Sequence, residues 1–172
     1  MKKILTLFAV VGLFAFSSCS DDDNDVDYDT ISSVIEVNNY DFTSSSNPAN
    51  SFRIRYNFNS EIYPGDMVLV YRLVAVEDGV KVWSPLPEIA FDSNGAFDFS
   101  YNFEFSRFDV DIFMLGDDLG SVVPNLRLDQ TFRIVVIPGE GNNLTSKKSV
   151  DFSDYNAVIK AYNIDDSNVK IK

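Results

Sequence analysis

A period of two constrains this chain more than any other feature. Phe97, Phe99, Tyr101, Phe103 and Phe105 alternate with Asp98, Ser100, Asn102 and Glu104, so an extended backbone sends five rings to one side and four polar groups to the other. A helix would scatter the same rings around its circumference. Phe52, Ile54, Tyr56 and Phe58 alternate in the same way with Arg53, Arg55 and Asn57, and Phe108, Val110, Ile112 and Met114 alternate with Asp109, Asp111 and Phe113. These stretches predict half-buried antiparallel strands. Residues 67–71 and 132–137 are instead almost continuously apolar and rich in β-branched side chains, which predicts central strands covered on both faces.

Turn chemistry separates the runs: Tyr63-Pro64-Gly65-Asp66, Glu77-Asp78-Gly79, Ser93-Asn94-Gly95, Gly116-Asp117-Asp118 and residues 138–143. Asp-Gly and Asn-Gly supply the positive φ angles of tight hairpins, so consecutive strands are expected to pair. Pro85 and Pro87 delete ladder donors and put their stretch on an edge or in an irregular crossing. Near the end, Tyr155, Val158, Ile159 and Tyr162 fall at helical spacing, with Ser153 to cap the start and Asn163 to end it; a final strand through Ala157 to Ala161 is the alternative. The tail after Ile164 is expected to fray. About seven short strands with hairpin turns predict an all-β fold: an antiparallel β-sandwich, immunoglobulin-like in outline, with one short C-terminal helix.

The residue types exclude much chemistry. With 15 Phe and 8 Tyr among 172 residues the chain can bury a core, but it has one cysteine and no histidine. An intrachain disulfide, a histidine-dependent triad and a Cys-His dyad are therefore ruled out. No glycine-rich strand-to-helix turn serves a nucleotide cofactor. The formal charge of −12 repels phosphate backbones and argues against a nucleic-acid partner. Glu104, Asp109, Asp111, Asp117 and Asp118 could in principle furnish a hydrolase's carboxylate pair, and Asp117-Asp118 or Asp165-Asp166 a calcium ligand. Acids are plentiful here, and spacing assigns none of them to catalysis or metal. No cofactor is expected, and the chain is read as non-enzymatic.

The first thirty residues read as an address. Met1-Lys2-Lys3 is basic, residues 4–16 are apolar, and Ser17-Ser18-Cys19 closes the run with small side chains, a secretory signal layout. The apolar run is shorter than the roughly 20 residues of a membrane span, and acids follow it. The junction Phe16-Ser17-Ser18-Cys19 resembles the lipobox of type II signal peptides. That resemblance implies cleavage before Cys19 and a lipid on its thiol; Phe16 sits where leucine is commoner. Ser20-Asp21-Asp22-Asp23, followed by Asn24 and Asp25, resembles the acidic export signal of Bacteroidota surface lipoproteins. Asp21, Asp23 and Asp25 also alternate like the first ligands of an EF-hand, but Val26 and Ser32 stand where that loop needs glycine and glutamate. Asp29-Thr30-Ile31 resembles the site at which the same bacteria O-glycosylate exported proteins, which implies modification of Thr30.

The expected organisation is a cleaved leader over 1–18, an acidic tether over 19–33, a β-sandwich domain over 34–164 and a tail over 165–172. The whole resembles small surface lipoproteins of Bacteroidota. It implies an outer-membrane protein held by the lipid on Cys19 and exposed on the cell surface, acting as a binding or adhesion accessory module for a glycan or protein partner. A structural envelope role without a small ligand is the alternative, and a carboxylate-dependent hydrolase a distant one. Among the rings that could face a ligand, Trp83, Tyr63, Tyr71 and Tyr101, Trp83 beside two prolines is expected to be the exposed one.

Overall fold

The structure, a computed structural model, describes residues 32–139, 150–167 and 169–172. The lipobox, the export signal, Thr30 and the end of the 138–143 turn lie outside the described residues. Nine strands occur among them: β1 (Ser33–Tyr40), β2 (Arg53–Asn57), β3 (Met67–Glu77), β4 (Val80–Pro85), β5 (Glu88–Phe91), β6 (Phe97–Phe105), β7 (Asp109–Gly116), β8 (Gln130–Ile137) and β9 (Lys170–Ile171). One α-helix, α1 (Tyr155–Ala161), falls between β8 and β9, and short 3-10 turns occur at Pro48–Asn50 and Pro124–Leu126. The strands form two sheets, ordered β4-β3-β8-β1-β9 and β2-β7-β6-β5. Every pair is antiparallel except β1 with β9.

The alternation read from the sequence decides how the sheets stack. Ile54, Tyr56, Phe99, Tyr101, Val110, Ile112 and Met114 of the second sheet meet Ile35, Val37, Val68, Val70, Phe132 and Ile134 of the first in one core. Intervening residues of the first sheet, Val34, Tyr71, Val135 and Ile137, turn the other way. They pack under Tyr155, Val158 and Ile164 in a second core. The runs at 67–71 and 132–137 lack polar alternation because β3 and β8 are apolar on both faces. The second sheet keeps clean alternation because its outer face carries Arg53, Arg55, Glu104 and Asp111 as ion pairs.

Asp78 and Gly79 both take positive φ, at 50° and 82°, and close the β3–β4 hairpin as the Asp-Gly pair requires. The segment with Pro85 and Pro87 crosses between sheets, from edge strand β4 to edge strand β5. Asp154, one residue after the expected Ser153, caps α1 by accepting a bond from the Ala157 amide at 3.1 Å. Asn163 follows the helix at φ 51°, the left-handed conformation that ends a helix. The tail departs from expectation. Instead of fraying, it returns as β9 beside β1, with the Lys172 amide donating to the Glu36 carbonyl at 2.9 Å and the Asn38 amide donating to the Lys172 carbonyl at 3.1 Å.

The two ends of the sandwich are distinct. The chain enters at Ser33, opposite Val136, whereas Tyr40 at the far end of β1 pairs with Gln130.

Candidate functional site

The far end holds a cleft of about 520 Å³ between the β3 strand and the segment leading into β8. Arg72, Leu73 and Val74 line one side, and Leu126, Asp129 and Thr131 are among those lining the other. Arg72 faces the first core, where a bare guanidinium would be prohibitively costly. Its Nε and Nη2 donate to the two Glu88 oxygens at 3.0 and 2.6 Å, Nη1 donates to the Gln130 amide oxygen at 3.3 Å, and the guanidinium lies 4.7 Å from the Tyr101 ring centroid. The fork-to-fork pairing neutralises the charge in place.

The same side chains hold the opposite wall. Gln130 Nε2 donates to the carbonyls of Asn125 and Leu128 at 3.0 and 2.7 Å, and the Tyr101 hydroxyl donates to the Leu126 carbonyl. Burial pushes the Tyr101 phenol up to about 12, with Arg72 pulling it down and Glu88 pushing it up, so it stays a neutral donor across the physiological range. Asp129 sits at φ 54°, a conformation aspartate tolerates better than most side chains, and its amide donates to Asp41 at 2.9 Å. The wall is thus preorganised, which lowers the ordering cost of binding. The cleft presents apolar residues Leu73, Val74, Leu126 and Leu128 beside the polar Asn125, Asp129 and Thr131.

Trp83 is not an exposed platform. It is half-buried in the second core, with the Arg133 guanidinium 4.6 Å from its centroid and the Tyr155 ring at 5.8 Å. Tyr71 and Tyr101 are fully buried, while Tyr63 is partly exposed. Arg133 also donates to Glu36 at 3.0 Å, to Asp166 at 3.1 Å and to the Tyr155 hydroxyl, and Lys81 donates to Glu36 at 2.5 Å. The bonds to Asp166 and Tyr155 brace the first sheet to the C-terminal segment, while those to Glu36 join β8, β1 and β4 within the sheet. Asp166 is thus occupied, and Asp165 accepts from Ser167 at 2.6 Å.

Three of the acids named for hydrolysis, Glu104, Asp109 and Asp111, are engaged by arginines of β2. Asp111 accepts from Arg53 at 2.7 Å and from Arg55 at 2.7 and 2.5 Å. The Arg55 bonds, opposed by burial and aided by Arg53, hold it below the usual carboxylate range, the opposite of what a general acid needs. Glu104 pairs with Arg53 and Asp109 with Arg55. Asp117 and Asp118 lie in the exposed loop after β7.

Sequence reasoning missed Arg72, Glu88 and Gln130. A signal was present: Arg72 and Arg133 each interrupt an apolar strand, and a cation there requires a buried partner.

The chain matches no protein-family model, and no curated protein and no solved structure is significantly similar to it. Fold and cleft together define its class: an all-β sandwich with a second core under a C-terminal helix and a preorganised recess at one end.

Proposed function

We propose that this is a lipid-anchored cell-surface protein whose sandwich is a non-enzymatic binding module, taking a neutral, hydroxyl-rich ligand such as a glycan in the Arg72 cleft. The observation that carries the reading is the cleft's own balance. Glu88 cancels the Arg72 charge, so the recess has little pull on an anion. Its polar rim and apolar sides suit a ring with hydroxyls on its edges and C–H groups on its faces. The anchor would be the lipid on Cys19. Since the chain enters at Ser33, the cleft lies at the end away from the tether.

Glycan-array binding by the detergent-solubilised mature protein tests the ligand. Binding is expected to fall at least tenfold in the doubly substituted Asn125→Ala, Thr131→Ala protein, and no hit on any glycan would refute the ligand class. Mass measurement of the N-terminal peptide tests the anchor independently. A diacylglyceryl adduct on Cys19 is expected, and an unmodified thiol would refute it.

A further inference from the structure

The end at which the chain enters the sandwich carries an apolar rim. Phe105 and Phe108 flank the β6–β7 turn and are 44% and 62% exposed; Met67 and Tyr63 are 45% and 40% exposed. Backbone bonds tie this turn to the neighbouring loop, with the Phe58 amide donating to the Phe108 carbonyl at 2.8 Å and the Ile62 amide to the Arg107 carbonyl at 2.9 Å. Phe58, Ser60 and Ile62 of that loop share a groove of about 320 Å³ with Ser33. The rim therefore lies at the end of the sandwich where Ser33 opens β1.

Several charges of the folded end are paired, although Arg55 is shared between Asp109 and Asp111 and the aspartates before Ser33 lead into it. Arg107 pairs with Glu61 at 3.0 Å and Asp109 with Arg55 at 3.6 Å. Asp66 is buried, accepting from the Tyr63 amide at 2.9 Å and the Gly139 amide at 3.3 Å, and Lys170 lines the groove. The folded entry end thus presents aromatic and thioether side chains beside paired charges. Such side chains gain by leaving water at a headgroup boundary, which offsets the repulsion that the acids nearby feel from anionic lipid.

We infer that the end bearing Phe105, Phe108, Tyr63 and Met67 rests on the lipid surface of the membrane that holds the Cys19 anchor. The inference rests on the anchored reading above. Cys19 and Ser33 are fourteen positions apart, so even a fully extended connection spans at most about 50 Å. Confinement within that distance raises the local concentration of headgroups until a weak contact is well populated. The contact would fix the sandwich upright, with the Arg72 cleft outward.

The test uses the mature, acylated protein in vesicles of phosphatidylethanolamine and phosphatidylglycerol carrying a headgroup nitroxide. Acylation is verified by mass, and an environment-sensitive fluorophore is attached through Ser60→Cys near the rim or Asn94→Cys on the far hairpin. Quenching at position 60 is expected to exceed that at position 94 at least threefold, and to drop to the far-end level when Phe105→Ser and Phe108→Ser are added. Equal quenching at the two positions in acylated protein overturns the contact while leaving the anchor intact. Strong quenching that survives the double substitution overturns the role of the rim. An unmodified Cys19 overturns anchor and contact together.

Discussion

Replacing Arg133 with methionine is the sharpest test of how the second core is held. The Arg133 side chain is 11% exposed and that of Glu36 only 3%, so truncating one partner leaves a carboxylate largely out of water. Breaking a buried pair in this way costs about 3–5 kcal/mol. Two features reduce that here. Lys81, 2.5 Å from Glu36 and 40% exposed, can hold part of the charge, and methionine fills most of the apolar volume between Trp83 and Tyr155. Against this, Asp166 and the Tyr155 hydroxyl lose a shared donor. A net loss of about 2–4 kcal/mol follows, or a fall in urea midpoint of about 1–2 M for a slope near 2 kcal/mol/M. Equilibrium urea unfolding of the full chain measures it, and the Glu36→Gln, Arg133→Met cycle isolates the pair. A coupling of at least about 1 kcal/mol is expected between contacting charges. A single-mutant loss below about 1 kcal/mol, or singles that add within about 0.5 kcal/mol, would refute the view that this charge pair ties β1 to β8 beneath the C-terminal segment.

Two further perturbations follow from geometry and titration. At Gly139 an added Cβ would lie 1.5 Å from the Gly65 carbonyl oxygen, so Gly139→Ala must force two backbone segments apart; a loss of about 3 kcal/mol or more is expected, read as a lowered thermal midpoint, and an unchanged midpoint would show that these loops do not approach as described. Stability should also fall on acidification: burial pushes the Glu36 carboxyl up, but Lys81 and Arg133 more than offset it, and Arg55 and Arg53 hold Asp111 down. Groups lowered by folding stabilise above the ordinary carboxylate range, and that contribution is lost as pH falls below about 4 toward their folded values. Asp111→Asn should flatten the urea-midpoint profile between pH 5 and about 3, and an unaltered slope would contradict the Asp111 assignment.

How much was legible depended on how local the cause was. The alternation in 52–58, 97–105 and 108–114 foretold β2, β6 and β7 because each has one dry and one charged face. The loss of alternation at 67–71 and 132–137 foretold β3 and β8 as central strands, and the prolines foretold the edge crossing. Trp83 was misjudged because its burial depends on Arg133 and Tyr155, some 50 and 72 positions later, which neighbouring prolines cannot report. The tail was misjudged for a related reason. Val169 and Ile171 alternate with lysines in strand fashion, but over too few residues to signal a strand, and their order comes from Asp166 meeting Arg133 and from a backbone ladder to β1. The cleft was invisible to motif reasoning because its parts, Arg72, Glu88, Tyr101 and the 124–131 segment, come from four separate stretches.

The two cores are not independent, because β3 and β8 serve both. Arg72 pairs across the ladder with Phe132 and faces the cleft, whereas its neighbour Tyr71 pairs with Arg133 and faces the helix. A strand alternates sides at every residue, so a shift that relaxes one face displaces the other. The Tyr71 hydroxyl donates to the Phe152 carbonyl at 2.8 Å, and Arg133 binds Asp166. The segment after β8 is thereby linked, through adjacent positions on two strands, to the side chains that hold the cleft's wall. Substitutions at Arg133 should thus weaken the binding proposed for the Arg72 cleft, a site they do not touch, and by less than they weaken the fold, since the Arg72–Glu88 fork has its own anchor in the second sheet.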